Sequence, residues 1–286
     1  MNQLLNDYIS NLLPHPELVK LFVRLSPKAT HIMLFNPFEE QSLAHFTLNN
    51  ESDVSGNSRQ YLKTLEKSIY NHPGLIEKQW SSITLLVDYT RFALFPAELP
   101  NPYQLFQATY GEASPGTALL VNKFTSPEVS VVAEIDSALL NFLRRTFVNA
   151  EIMPAIMPMA TYCVSKCNTA APVITANFSL LGSIEIISAA GGRLLQATRF
   201  EAATPDDAAF YTLSASAVLP EAPGEIYITG TSPQRNELMS ILRRFHGYVM
   251  PLVFPAEMHR AGAEVGTIEF DLLISPLISP QPSNPS

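Results

Sequence analysis

The sequence predicts an α+β protein with mixed sheets, built from two similar halves. Three observations carry that expectation. The chain has 286 residues, above the ~100 to 150 of most single domains, so two domains are the starting assumption. Strand-like alternation comes in threes, followed by a helical pattern, once in each half. The last helices also match in character: Leu139-Leu140-Asn141-Phe142-Leu143-Arg144-Arg145 against Leu238-Met239-Ser240-Ile241-Leu242-Arg243-Arg244. Amphipathic helices need Leu at such spacing, and Arg suits a C-terminal end, so the repeated order of elements adds weight to the match.

Residues 1–17 read as a lead-in segment. Leu18–Leu25, Thr30–Phe35 and Gln41–Leu48 form a three-stranded meander, punctuated by Ser26-Pro27 and Asn36-Pro37. In the first strand Val19, Leu21, Val23 and Leu25 share one face, with Lys20 and Arg24 on the other. Ser58–Tyr70 is a helix on the stripe Tyr61, Leu62, Leu65, Ile69, ended by Pro73-Gly74. Ser82–Val87 and Arg91–Phe95 are strands, and Asp88 between them marks a tight turn. A helix follows from Asn101-Pro102 to Tyr110, stopped by Gly111. Thr117–Asn122 and Val129–Ile135 are strands, and Asp136 caps a helix to Phe147.

Pro154, Pro158 and Pro172 place the boundary between halves in 148–172, with a short helix around Thr161–Lys166. The pattern then restarts with strands Val173–Ser179, Leu181–Ser188 and Arg193–Phe200, the last two joined by Gly191-Gly192. Thr204-Pro205-Asp206-Asp207 starts a helix that turns Phe210, Leu213 and Ala217 inward. Glu225–Thr229 is a strand. Arg235–His246 is a helix with Leu238, Ile241, Leu242 and Phe245 on one face, and strands follow around Tyr248–Phe254 and Val265–Ile274. The expected division is 1–150, with an insertion near 80–125, then 151–274, then a disordered tail 275–286 holding four prolines.

Composition excludes several functions. Net charge is −8 with only 18 Lys plus Arg, and basic residues never cluster beyond a pair, so nucleic-acid binding is not expected. No apolar run approaches the ~18 residues of a membrane span. The first Lys is Lys20, so the positive start of a signal peptide is missing, and a cytoplasmic protein is expected. Cys163 and Cys167, without a nearby His, read as core thiols. The six histidines lack ligand spacing, and no metal site is expected.

A βββαβα order occurring twice is the plan of actin-like and ribonuclease H-like folds. The chain resembles a bacterial family, the domain of unknown function numbered three-eight-two-two, described as having an actin-like ATPase fold. Arg91-Phe92-Ala93-Leu94-Phe95-Pro96, the stretch from Arg199 to Tyr211, and Ile226-Tyr227-Ile228-Thr229-Gly230 carry the resemblance. It implies two phosphate-binding hairpins, each with Asp-x-Gly: Gly admits phosphate to the backbone N–H groups and Asp organises Mg²⁺. The first hairpin turn, Leu25 to Thr30, has neither Asp nor Gly. The second, Asn177 to Ser183, has one Gly and no acid. The expectation is therefore a degenerate, non-hydrolysing protein with no catalytic residues and no cofactor, ATP with Mg²⁺ not being supported by motifs. Ser179, Gly182, Gly230 and Thr231 are the remnant nucleotide contacts. The expected partner is another protein. The alternative is a nucleotide-binding regulator or weak ATPase using the cleft between lobes.

Overall fold

The computed structural model describes residues 2–13, 15–26, 29–49, 58–125, 128–179, 182–230, 234–253, 255–262 and 268–278. Helix α1 (Asn2–Asp7) and the wide turn after it bury Leu5 and Ile9 completely, so the lead-in segment is part of the first core. Strands β1 (Lys20–Leu25), β2 (Ala29–Phe35) and β3 (Ala44–Asn49) form the expected antiparallel meander. β3 starts three residues later than expected because Gln41 takes a left-handed turn, φ 52°. Helix α2 (Ser58–Tyr70) keeps its expected bounds, and α3 (Gly74–Glu77) is a single turn. β4 (Ser82–Val87) then pairs parallel with β1.

The inserted region forms its own sheet. β5 (Phe92–Pro96), helix α4 (Pro102–Tyr110), β6 (Thr117–Thr125) and β7 (Glu128–Asp136) follow, in sheet order β5-β7-β6. Helix α5 (Ser137–Thr146) is capped as expected, Asp136 accepting the Leu139 N–H at 2.8 Å. β8 (Glu151–Pro154) then pairs parallel with β4 and completes the first sheet, β3-β2-β1-β4-β8. The first sheet thus takes its last strand from beyond the expected division at 150. Four residues ending in Pro154 carry no readable alternation.

Helix α6 (Ile156–Lys166) begins five residues before the expected Thr161 and includes Pro158 in its first turn, where a missing N–H costs nothing. The second lobe has strands β9 (Val173–Ser179), β10 (Ser183–Ala190) and β11 (Arg193–Glu201), then helix α7 (Pro205–Ala217). The Gly191-Gly192 turn has both φ values positive, as a tight hairpin requires. Thr204 and Asp207 close the expected capping box. β12 (Glu225–Gly230), helix α8 (Gln234–Leu242) and β13 (Val249–Pro251) complete a second sheet, β11-β10-β9-β12-β13. Helices α9 (Ala256–Arg260) and α10 (Phe270–Ile274) follow.

Both sheets have the same connectivity, an antiparallel meander extended by parallel strands. Between them lie α6, packed against β10 and β11, and α10, packed against α6 and β1. Every residue of α10 is buried, as are Ile156–Ala160, Tyr162, Cys163 and Val164 of α6. A helix buried on all sides shows no amphipathic period. That is why Val265–Ile274 reads as a strand, although 270–274 are helical; residues 265–267 lie outside the described set.

Three further expectations are corrected. On α7 the buried residues are Ala208, Ala209, Thr212 and Ala215, while Phe210 is 64% exposed and Ala217 is exposed. The helix approaches its sheet on small side chains, which leaves no room for Phe210. Phe245 lies beyond the end of α8 and is equally exposed. Of the expected tail, Ser275–Leu277 is a short 3-10 turn with Ser275 buried; residues 279–286 lie outside the described set.

Candidate functional site: the polar cluster between the lobes

The register of the two sheets places one polar row on each facing surface. In the first, Arg24 of β1 pairs with His31 of β2, which pairs with Thr47 of β3. In the second, Asn177 of β9 pairs with Glu185 of β10, which pairs with Arg199 of β11. Arg24 and Asn177 occupy matching positions, each the penultimate residue of a parallel pairing, with β4 and β12 respectively. The face of β10 explains the second row: Ile184 and Ile186 join the core under α7 and α8, so Glu185 and Ile187 point the other way, toward the first lobe.

Arg24 is the centre of the cluster. Its Nη2 lies 2.8 Å from Asp88, just past β4, and its Nε donates to Asp271 of α10 at 2.7 Å. Its Nη1 donates to the Leu25 carbonyl at 2.6 Å. The side chains are only 12% exposed for Arg24, 22% for Asp88 and 5% for Asp271. Next to it, the buried Tyr89 hydroxyl donates to Glu185 at 2.6 Å, and Asn177 donates to the other oxygen at 3.3 Å. Arg199 donates to the Tyr89 carbonyl at 3.3 Å, with its guanidinium 5.0 Å from the Tyr89 ring centre. The Asp88-Tyr89-Thr90 turn therefore carries an ion pair inside the first lobe and a buried hydroxyl that reaches Glu185 across the lobe interface. It is more than the plain tight turn expected.

Proton affinities follow from these contacts. Burial alone would ease the proton off Arg24, but Asp88 and Asp271 outweigh it and hold the guanidinium firmly charged. Burial raises the Glu185 carboxyl, with Tyr89 and Arg199 pulling it back down. Burial, then repulsion from Asp271, pushes Glu269 up to about 7. In the first row burial lowers both His31 and His45 to about 4. They stack with ring centres 5.5 Å apart and share a 3.3 Å contact, so they are neutral structural partners, as expected of strand histidines.

The arrangement ties the lobes together through the Tyr89–Glu185 and Arg199–Tyr89 hydrogen bonds beside the Arg24 ion pairs; it does not fit a Mg²⁺–triphosphate. The two carboxylates that reach Arg24 are already paired to its guanidinium, and a cation stands where a second cation would have to bind. No group of three or more His, Cys, Asp or Glu able to hold a metal occurs among the described residues.

The described remnant contacts expected from sequence lie at the ends of β9 and β12 and in the turn after β9. Gly182 lies in the β9–β10 turn, φ 78°, its carbonyl accepting the Ala202 N–H at 2.8 Å. Ser179 ends β9 and pairs with Ser183. Gly230 ends β12 with φ 118°, and a Cβ there would sit 2.2 Å from the Phe178 carbonyl oxygen. The close approach of the paired Phe178 backbone and the positive φ require a glycine here. Thr231 lies outside the described residues. The sequence reading also missed Arg24, Glu185 and Asp271 as a group. The signal available was a lone charge inside an apolar run: Arg24 in Phe22–Leu25, Glu185 between Ile184 and Ile186, Asp271 between Phe270 and Leu272. Cys163 and Cys167 are free buried thiols, Cys167 donating to the Ala189 carbonyl.

Comparison with known proteins agrees with this architecture. The family described as protein of unknown function DUF3822 matches residues 10–249. The chain belongs to that family. A Bacteroides thetaiotaomicron protein with an actin-like ATPase fold and unknown function superimposes with a TM-score of 0.71 at 20% identity, over 87% of this chain and 97% of that one. A chain of the PilM-PilN type IV pilus biogenesis complex superimposes with a TM-score of 0.55 at 13% identity, over 91% and 97%. None of the curated proteins matches. This DUF3822 protein thus has an actin-like ATPase fold. No helix among its described residues is long and apolar enough to cross a membrane.

Proposed function

We propose that this DUF3822 protein is a degenerate, non-hydrolysing actin-like scaffold of the cytoplasm that works by binding another protein. The observation that carries the reading is the Arg24 ion-pair cluster. In a working member of this fold, nucleotide and metal bridge the lobes. Here protein groups fill the cleft: Arg24 is held by Asp88 and by Asp271 of the intervening α10, and Tyr89 beside them donates to Glu185 of the other lobe, so the bridge needs no phosphoryl transfer to form. The similarity to a chain of the PilM-PilN complex supports the second half of the proposal, because that fold takes part there in an assembly of proteins. Titration calorimetry with ATP and Mg²⁺, alongside a phosphate-release assay, tests it. No heat and no phosphate are expected; micromolar binding with turnover would overturn it.

A second reading, a nucleotide-binding regulator without hydrolysis, draws on Gly182. A Cβ there would find its nearest neighbour at 3.8 Å, so its turn stays open to a ligand. A nucleotide-dependent rise in melting temperature without turnover would favour it over the scaffold.

A further inference from the structure

We infer that the groove between edge strands β5 and β11 receives an extended, apolar peptide segment with basic ends, added as a strand. The inference deepens the scaffold reading and rests on it for its choice of a protein partner. β5 is the outer strand of the inserted sheet, and β11 is the outer strand of the second lobe's sheet. A cleft of about 820 Å³ separates Phe92–Pro96 from Gly192–Ala197. A second, of about 790 Å³, continues between Asp88–Phe92 and Ala197–Glu201, and the two share Phe92, Tyr110 and Ala197. The paired residues run in opposite directions, so two antiparallel edges flank one continuous groove. Each strand is the last of its sheet and so has an open side, the template for strand addition, although the Phe92 carbonyl on β5 already accepts from the Tyr110 hydroxyl.

Two features fix where the added strand lies. Pro96 removes a backbone donor from β5, and the β10–β11 register slips at Leu195. Both blunt the same end of the groove. The groove runs from Leu94, past the facing Phe92 and Ala197, toward Glu201, and near that end the Arg199 side chain crosses it to the Tyr89 carbonyl. Its floor is apolar: Phe92, Leu94, Leu194 and Ala197 are all half-buried against the first core. Its margins are acidic. Glu98 and Glu128 stand exposed at one end and Glu201 at the other, without an ion pair among the described residues; the cations lining the groove are exposed Arg193 and, nearer Glu201, half-buried Arg91, paired to Glu134, and Arg199, bonded to the Tyr89 carbonyl. An apolar middle between carboxylate ends is complementary to a segment of alternating apolar residues flanked by Lys or Arg.

The test uses the full chain as bait for a random-peptide display library, followed by synthesis of the enriched peptides. Enriched sequences are expected to alternate apolar residues between basic ends. Binding should slow hydrogen exchange at Phe92–Phe95 and Gln196–Glu201. Methylating alternate backbone nitrogens of the peptide should weaken it about tenfold or more, since strand addition depends on main-chain hydrogen bonds. The surface variant Glu98→Lys/Glu128→Lys, which touches no core residue, should weaken it by a similar factor. No enrichment, protection elsewhere, or indifference to both changes would overturn the proposal. Indifference to both changes in a real protein partner would remove the groove and leave the scaffold standing, whereas ATP turnover would remove the scaffold reading and leave the groove.

Discussion

In the first lobe the row facing the interface reads Arg24, His31, Thr47; in the second it reads Asn177, Glu185, Arg199. The register is shared and the chemistry is complementary. With His31 neutral, the first row carries charge only at Arg24, while the second sets Glu185 between Asn177 and the cationic Arg199. Asp88 and Asp271, from outside both rows, complete the pairing. The duplicated frame therefore fixes where polar residues can sit, and each half supplies what the other lacks. Neither half on its own contains the site.

The largest effect should come from breaking the first row. Arg24→Met takes the cation from Asp88 and from the buried Asp271 and should cost about 3–5 kcal/mol in urea unfolding. Lys20→Met, on the same strand but outside the cluster, should cost well under 1 kcal/mol. Equal costs would mean that the register position carries no special weight.

The glycines of the second lobe sharpen the contrast between a strained backbone and an open one. Gly230→Ala meets both φ 118° and the Phe178 carbonyl, and should lose at least about 2–3 kcal/mol. Gly182→Ala meets only its left-handed φ, and about 1 kcal/mol is expected. A reversed order in thermal unfolding would contradict the close-approach explanation of Gly230.

The smallest effect is a pH dependence with opposite signs on the two sides of the interface. Glu269 is raised from 4.5 to about 7 in the folded state, so its protonated form stabilises the fold at low pH and that stabilisation fades between about 4.5 and 7. Glu269→Gln should therefore gain on the parent protein by roughly 2 kcal/mol as pH rises through that window. His31 is lowered from 6.5 to about 4, so the folded state loses stability as pH falls from about 6.5 to 4. His31→Gln should gain on the parent in the acid direction. Parallel pH profiles for parent and variants would refute both assignments.

The sequence was most legible where one face of an element meets water. The meander of β1, β2 and β3 shows period-two alternation, α2 shows a helical stripe, and Thr204-Pro205-Asp206-Asp207 announces α7 through its cap. Legibility failed where both faces are buried or an element is very short. β8 has four residues, α6 begins inside a proline-rich stretch, and α10 is an apolar run without period. The candidate site was illegible for a related reason. Arg24 looks like the solvent face of an alternating strand, because alternation reports two faces and cannot say that a second lobe covers one of them. The missing hairpin acids were readable, but the guanidinium that stands in the interface was not.

Whether Arg24 and Asp271 act together is best measured by a double-mutant cycle in urea, using Arg24→Met, Asp271→Leu and the pair. Strong coupling is predicted: the double variant should lose less than the two single losses combined, by about 1–3 kcal/mol. Additive losses would mean that Arg24 and Asp271 do not act as a pair, and the account of the cluster in the cleft would fall with it.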